Sequence, residues 1–150
     1  DLVVLMDWHA DWSSAQAIPV VTSPACSEKQ RQAVELLFIG MNVIPIWTKD
    51  HPGLYVIRSI TMLVNEACEA VLHDISSEQD IDSAMKYGVN YPCGPFEWAD
   101  RIGYYTILQI LENMYQIYGE DRYRTSIYLA KKVVQGHAQK TQQQPLRVAG

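Results

Sequence analysis

The segment Gly88–Gly103, GVNYPCGPFEWADRIG, decides how the second half of the chain folds. Two prolines, three glycines and two acidic residues stand within this short stretch, a mixture that helices and strands avoid. Pro92 and Pro95 each fix φ and lack a backbone donor, and Gly94 between them can adopt backbone angles closed to other residues. Because FEWADRIG then indicates the start of a helix, the segment is predicted to be a rigid joint between two helices.

The residues that follow Gly94 fit a helix N-terminus. Pro95 suits the first turn, where its missing backbone donor costs nothing. Glu97 and Asp100 lie near the positive end of the helix dipole, which favours acidic side chains. Gly94 is predicted to be the least replaceable residue, because a side chain there would require a forbidden backbone angle or collide with a neighbouring helix. The side chain of Cys93 is expected to be partly exposed and to contribute little to stability. The predicted structural motif comprises Pro92, Gly94, Pro95, Glu97 and Asp100.

Four helices are predicted around this joint. Apolar residues at helical spacing, with a capping pattern from Ser77 to Asp80 in the second helix, indicate helices over Leu54–Leu72, Ser76–Gly88, Asp100–Gly119 and Tyr123–Gly136. The residues expected to face the core are Leu63, Ala67 and Ala70 or Val71 in the first helix, and Ile107, Ile110, Leu111 and Met114 in the third. Residues 137–150 are predicted to form a polar, frayed tail.

The first fifty residues indicate an α/β segment. Continuous apolar runs predict strands over Leu2–Met6, Ile18–Thr22 and Asn42–Trp47, and such runs are typical of strands buried on both faces of a small parallel sheet. Between the last two runs, Ser27 and Gln30 match a capping box at the start of a helix that ends near Gly40. The order predicts a right-handed strand–helix–strand unit.

The composition bounds the class of protein. With 150 residues, 48% hydrophobic and 19% charged, the chain fits one globular domain or a small unit of a larger protein. A net charge of −5 without a basic stripe argues against nucleic-acid binding, and no apolar run reaches membrane-spanning length. No secretory signal is apparent, and three cysteines without a C-x-x-C pair predict reduced thiols in the cytoplasm. Because the chain has no initiator Met, it is expected to be a piece of a longer protein.

Polar residues after the first strand raise the question of a bound ligand. In an extended segment, Asp7, His9 and Asp11 would share one face and could hold a metal, but the polar end of a strand is the preferred interpretation. A dinucleotide fold needs G-x-G-x-x-G after its first strand, and DWHADW follows instead. No metal site and no NAD site are therefore predicted in this chain.

The remaining polar candidates do not form a recognisable catalytic set. Three histidines are scattered along the chain, namely His51, His73 and His137. The sequence shows no serine or cysteine nucleophile that would act with them, so no catalytic residue is predicted. Asn65 and Glu66 lie within an apolar helix, where a polar residue often faces a polar partner. The alternative, that Glu66 and Glu69 are simply solvated, stays open.

The helical half resembles a known family. LVNEACEAVLHDISSEQDIDSAMKYGVNYPCGPFEWADRIG, residues 63–103, is similar to the C-terminal helical domain of the 3-hydroxyacyl-CoA dehydrogenases. The N-E-A helix, the D-I-D-x-A-M-x-x-G helix and the P-x-G-P-F-E-x-x-D-x-x-G corner occur in family order and at family spacing, and the match extends over about Gly53 to Gly136. The arrangement resembles long bacterial members, related to 3-hydroxyadipyl-CoA and 3-hydroxybutyryl-CoA dehydrogenases. These carry a Rossmann domain, a helical domain, a reduced Rossmann-like domain and a second helical domain.

The resemblance implies an α+β chain with three regions. Residues 1–50 would be a reduced Rossmann-like α/β segment, 53–136 an all-α domain of the dehydrogenase C-terminal type, and 137–150 a polar tail. The family's catalytic His and Glu belong to the full Rossmann domain, and an assisting Asn opens the catalytic helical domain in a G-F-x-x-N-R segment. The matching run here is GLYVIR, in which Arg58 is retained but Ile57 replaces the Asn. Isoleucine neither donates nor accepts a hydrogen bond, so this copy is expected to be catalytically silent.

Partners and cofactor follow from the same resemblance. The parent protein would oxidise 3-hydroxyacyl-CoA with NAD. This chain would contribute packing against the upstream Rossmann domain, contacts with another copy of itself and a part in shaping the acyl-CoA pocket, and it would meet the acyl-CoA through the parent. Neither nucleic acid nor membrane is expected as a partner. The alternative is a free-standing helical interaction module, for which exposed tyrosines are the candidates, namely Tyr104, Tyr105, Tyr115 and Tyr118.

Overall fold

A computed structural model of the chain describes residues 2–9 and 11–143, with side chains described as far as residue 136. The chain divides into two compact units, one ending at Ser59 and the other beginning at Ile60. The α+β class predicted from the sequence is confirmed. The elements are β1 (Val4–Met6), β2 (Ala17–Thr22), α1 (Glu28–Gly40), β3 (Ile44–Trp47), α2 (Val56–Leu72), α3 (Glu78–Gly88), α4 (Pro95–Ile102), α5 (Tyr104–Tyr118), a single 3₁₀ turn (Asp121–Tyr123) and α6 (Ile127–Gln143).

The sheet of the first unit has the order β1-β2-β3, and it is mixed rather than parallel. β2 and β3 are parallel and joined through α1, but β1 runs antiparallel to β2, with Met6 opposite Val20. The expectation of a parallel sheet is therefore wrong for β1. A parallel pair needs a long crossover, whereas the residues between β1 and β2 only reverse the chain direction.

Burial in the first unit is also more one-sided than predicted. The core cluster joins α1 to one sheet face and consists of Ala15, Ile18, Val20, Val34 and Phe38. β1 and β3 are edge strands, and Leu5, Ile44 and Ile46 are about half exposed or more. Burial on both faces holds for β2 alone. The predicted capping box of α1 is present, because the Gln30 backbone N–H donates to Ser27 Oγ and the Ser27 N–H donates to Gln30 Oε1.

The buried faces of α2 and α5 agree with the prediction only in part. The buried positions of α2 include Ile60, Val64, Ala67 and Cys68, so the prediction holds for Ala67. Leu63, Ala70 and Val71 are only half-buried, and for them the prediction is wrong. In α5 the predicted core residues Ile107, Leu111 and Met114 are fully buried, and Ile110 is half-buried.

Two glycines behave differently from the prediction. Gly103 has φ of +94° and separates α4 from α5, so the helix predicted over Asp100–Gly119 is two helices. Gly136 was predicted to end the last helix, but α6 continues to Gln143. Glycine weakens a helix by about 1 kcal/mol without having to break it, and only a left-handed φ requires the break. The rest of the predicted tail, residues 144–150, lies outside the described residues.

No helix in the described part of the chain is long and apolar enough to cross a membrane.

Candidate functional site

The joint between α3 and α4 is closed by an aspartate from α3. Asp82 Oδ1 accepts the backbone N–H of Phe96 at 2.8 Å, and Oδ2 accepts that of Glu97 at 3.1 Å. The N-cap of α4 is Gly94, which has no side chain with which to satisfy these donors. Asp82, only 8% exposed, therefore supplies from another helix the cap that α4 lacks.

Gly94 lies against the carboxylate of Asp82. Its φ of −76° and ψ of 163° are ordinary extended values, so no forbidden backbone angle is involved. A Cβ at Gly94 would lie 2.2 Å from Cγ of Asp82 and 2.4 Å from its Cβ. Of the two reasons for which Gly94 was predicted to be irreplaceable, the geometry supports the close approach of a neighbouring helix.

A second contact between the two helices is ionic. Glu97 Oε2 accepts the N–H of Gly94 at 3.1 Å, and Oε1 is bonded to Nζ of Lys86 on α3. The hydrogen bond from Lys86, followed by that from Gly94, lowers the pKa of Glu97, and the pKa of Lys86 is raised by the same bond. Burial raises the pKa of Asp82, although its two backbone N–H donors oppose this effect.

We expect the Glu97→Gln variant to lose less stability in acid than the unaltered chain. The folded pKa of Glu97 lies below its ordinary value of 4.5, so its contribution is fully present above that value and disappears as the pH falls through the folded pKa. Asp82 has the opposite sign, because its pKa is raised, but it is present in both proteins. Urea melts at neutral pH and below pH 4.5 measure the difference. Parallel pH dependence of the two proteins would contradict the assignment.

The other residues of the predicted motif take different positions. Pro95 is buried at the first position of α4, as predicted, while Pro92 and Asp100 are exposed. Cys93 is only 5% exposed, so the expectation of a partly exposed side chain is wrong.

A second polar cluster joins α3, α5 and α6, and the sequence analysis missed it. Glu78 Oε1 accepts the hydroxyl of Tyr128 at 2.6 Å and lies 2.5 Å from Nζ of Lys132. Nζ of Lys132 also lies 5.5 Å from the ring centre of Tyr104 and 5.7 Å from that of Tyr128. In the sequence, Glu78 shows only the pattern of an acid in a first helical turn, and no local spacing links it to residues on α6.

Burial and the charge of Glu78 raise the pKa values of three side chains in and around this cluster. The hydrogen bond to Glu78 is the main cause that raises the pKa of Tyr128 to about 12. Burial, followed by the charge of Glu78, raises the pKa of the Cys68 thiol to about 12. Burial likewise raises the pKa of Tyr104. A thiol and two phenols that stay protonated at neutral pH supply neither a nucleophile nor a base.

Asn65 has a polar partner, which decides one of the alternatives left open by the sequence. Its Nδ2 donates to the backbone oxygen of Arg124 at 3.0 Å, and its Oδ1 accepts the N–H of Ser126 at 2.9 Å. The side chain is 3% exposed and ties α2 to the segment before α6. Glu66 is exposed to solvent, and Glu69 Oε2 lies 3.6 Å from Nε2 of His73.

Asp7 is a buried helix cap. Its carboxylate accepts the backbone N–H groups of Tyr55 at 2.8 Å, Val56 at 2.7 Å and Ile57 at 3.1 Å, and also that of Trp8 at 2.7 Å. The residue is 1% exposed. The first turn of α2 thus takes its cap from the end of β1, a separation in sequence that no local motif reveals.

The structure does not bring Asp7, His9 and Asp11 together around one point. Asp11 accepts the N–H and the hydroxyl of Ser13, and its own N–H donates to Nδ1 of His9 at 3.2 Å. Within residues 2–9 and 11–136, no three His, Cys, Asp or Glu side chains converge in a way that could hold a metal ion.

The remaining candidates are dispersed. The ring of His51 packs edge-on against Tyr55, and the side chain of His137 lies outside the described residues. Ile57 and Arg58 lie in the first turns of α2 and are half-buried. Four tyrosines were considered for an interaction surface. Tyr105 and Tyr115 are exposed, and Tyr104 and Tyr118 are half-buried.

Two protein-family models match this chain. The family model of the 3-hydroxyacyl-CoA dehydrogenase C-terminal domain matches residues 53–147, and the family model of the 3-hydroxybutyryl-CoA dehydrogenase reduced Rossmann-fold domain matches residues 1–52. The 3-hydroxyadipyl-CoA dehydrogenase of Escherichia coli K12 is 45% identical over 95 residues, which are 63% of this chain and 20% of that protein. A probable 3-hydroxybutyryl-CoA dehydrogenase of Deinococcus radiodurans is 33% identical over 81% of this chain and 44% of its own length.

A solved structure gives the same result for the fold. The crystal structure of the E. coli K12 3-hydroxybutyryl-CoA dehydrogenase has a TM-score of 0.81 and 30% identity, over 92% of this chain and 28% of that one. The chain thus spans less than half the length of these relatives. The resemblance stated from the sequence is confirmed: the chain belongs to the 3-hydroxyacyl-CoA dehydrogenase family, as a reduced Rossmann-fold segment followed by a C-terminal helical domain.

Proposed function

We propose that this chain is the non-catalytic part of an NAD-dependent 3-hydroxyacyl-CoA dehydrogenase located in the cytoplasm. The whole protein would oxidise a 3-hydroxyacyl-CoA to the 3-oxoacyl-CoA, with NAD accepting the hydride. The chain would contribute packing against the upstream Rossmann domain and contacts between subunits. The two family models account for residues 1–52 and 53–147, which is why we prefer this function to a free-standing interaction module.

The observation that carries the proposal is the residue at position 57. Ile57 lies in the first turn of α2, in the GLYVIR segment whose family counterpart ends in Asn-Arg. Its backbone N–H donates to Asp7, and its side chain is a hydrocarbon that cannot position a substrate oxygen. The helical domain therefore keeps the architecture of the family without the polar group that would assist catalysis.

The residues of the first unit do not fit a dinucleotide. β1 is followed by DWHADW, which has no glycine to let a pyrophosphate approach the backbone. The N–H groups of Tyr55, Val56 and Ile57, which an anion could use at the start of α2, already donate to Asp7. No step of hydride transfer is therefore assigned to residues of this chain.

We expect the purified chain to show no turnover with acetoacetyl-CoA and NADH, because we assign neither a catalytic base nor a cofactor site to the residues that the structure describes. The absorbance of reduced nicotinamide measures the reaction. The complete product of the gene that encodes the chain, assayed in parallel, is expected to oxidise NADH. Turnover by the chain alone would overturn its non-catalytic role, and an inactive complete product would overturn the proposed activity.

We also expect the chain to self-associate. Large apolar side chains of the second unit are each more than half exposed, and the described ones include Ile75, Tyr87, Val89, Ile117, Ile127 and Val134. Where such side chains lie together on the surface, they are typical of protein contacts. Sedimentation velocity over a concentration series should show a rising mean mass. A strict monomer up to high micromolar concentration would count against subunit contacts made by this chain.

A further inference from the structure

The helix α4 cannot be stable by itself. It has eight residues, which is well below the length at which an isolated helix persists in water. Gly94 at its N-cap has no side chain, and Gly103 at its C-terminal end has a left-handed φ. The helix must therefore gain its stability from contacts with the elements around it.

α3 provides complementary groups for the first turn of α4. Asp82 and Lys86 are four residues apart and so lie on the same face of α3. The carboxylate of Asp82 accepts two backbone N–H groups at the positive end of α4, while the ammonium of Lys86 is bonded to Glu97 in the same turn. One face of α3 thus offers an anion to the helix terminus and a cation to its acidic side chain.

The packing around this contact makes it difficult to exchange for water. Asp82 is 8% exposed, and the side chains that follow the joint, Phe96 and Trp98, are 3% and 7% exposed. The ring of Tyr91 lies 5.6 Å from that of Trp98, and the N–H of Tyr91 donates to the Met85 oxygen at 3.2 Å. Separating α3 from α4 would leave the carboxylate of Asp82 and the N–H groups of Phe96 and Glu97 without their partners.

We propose that the Asp82 and Lys86 face of α3 is a clamp on the first turn of α4, and that it makes the two helices one cooperative unit that opens and closes together. The clamp depends on Gly94, because only a hydrogen at that position allows α3 to approach. α4 is then ordered only when α3 is ordered. The inference concerns the fold and does not depend on the proposed dehydrogenase activity.

Hydrogen exchange of the whole chain, followed by NMR under native conditions with low concentrations of urea, tests the clamp. In the unaltered protein, amides of α3 and α4 should share one opening reaction with the same urea dependence. In the Asp82→Ala variant, amides of both helices should exchange roughly tenfold faster or more, while those of α5 stay unchanged. The Gln79→Ala variant is the control, since it shortens an exposed side chain of α3 and alanine is at least as good a helix former, so both helices should stay unaffected.

The Asp82→Asn variant keeps the test decisive if Asp82→Ala does not fold. Its amide oxygen can still accept one N–H, so we expect exchange of α3 and α4 to accelerate together by a smaller factor. Different urea dependences of α3 and α4 in the unaltered chain would overturn the proposal. Acceleration of α4 alone, or of neither helix, in the Asp82 variants would overturn it as well.

Discussion

The Gly94→Ala variant should be less stable than the unaltered chain by about 3 kcal/mol in the free energy of unfolding. The new Cβ would lie 2.2 Å from Cγ of Asp82, a distance that no relaxation of the alanine itself can relieve. Asp82 must move away, and the N–H groups of Phe96 and Glu97 then lose their acceptor. Urea denaturation followed by circular dichroism measures the change.

Gly88→Ala is the matched control for this variant. Gly88 is the last residue of α3, and a Cβ there would meet no atom within 4 Å. Its replacement should be neutral or slightly stabilising, because alanine is the better helix former. Equal midpoints for Gly94→Ala and Gly88→Ala would show that the approach of α3 to the joint does not matter.

A third variant tests the cause of the loss. With Asp82 already replaced by alanine, the hydrogen bonds to Phe96 and Glu97 are already lost, but Cβ of residue 82 stays 2.4 Å from the added Cβ, so the two substitutions together should cost less than the sum of the single losses. Cys93→Ser should cost less than Gly94→Ala, although more than nothing, since the thiol is buried. Should Cys93→Ser unfold the chain while Gly94→Ala is neutral, the joint is anchored by the thiol rather than by a close backbone approach.

The Asp7→Ala variant should lose a similar amount, about 3 kcal/mol. Its carboxylate accepts three N–H groups at the start of α2 and that of Trp8, and a methyl group accepts none of them. The loss should exceed that of an ordinary N-cap substitution, because Asp7 is 1% exposed and water cannot replace it without rearrangement. Urea melts, together with exchange of the Val56 and Ile57 amides, report the change.

Asp11→Ala is the control for Asp7, because it removes a carboxylate from the same connection. Asp11 is exposed, and its partner is the neighbouring Ser13. Its replacement should change the midpoint far less than Asp7→Ala does. If both variants melt together, the cap on α2 is not the source of the stability.

Local signals in the sequence were sufficient where cap and helix are neighbours. Ser27 with Gln30 and Ser77 with Asp80 both cap as predicted, since acceptor and donor stand three residues apart. The caps supplied by Asp7 and Asp82 could not be predicted in this way. Each reaches the start of a helix that only the tertiary fold brings near, and each looks in the sequence like an ordinary acid at the end of a strand or within a helix.

The direction of strands and the behaviour of glycines are likewise set by context. An apolar run predicts that β1 is a strand, but it does not predict whether β1 runs parallel or antiparallel to β2. Gly103 and Gly136 look alike as helix breakers, yet only Gly103 has a left-handed φ. The prolines after α3 predict a joint at this position, but nothing in the sequence predicts that Asp82 contacts it.

The family resemblance supplied two expectations that residue patterns could not, namely further domains in the parent protein and a catalytic consequence of Ile57. Without the G-F-x-x-N-R comparison, an isoleucine in the first turn of a helix carries no functional information. Conversely, the cluster around Glu78 and Lys132 carries pKa shifts that resemble those of an active site, but Glu78 is paired with Lys132, and the raised pKa values of Tyr128 and Cys68 favour their protonated forms. Only the contacts distinguish a structural network of this kind from a catalytic one.

We propose that the chain has a Rossmann-like sheet without a cofactor site. Calorimetric titration of NADH and NAD⁺ into the purified chain tests this most directly. The expected result is the absence of a saturable heat change over a range in which the complete gene product, titrated in parallel, binds the cofactor. Saturable binding to the chain alone at micromolar affinity would contradict the claim, since it would require a phosphate-binding turn where Asp7 now caps α2.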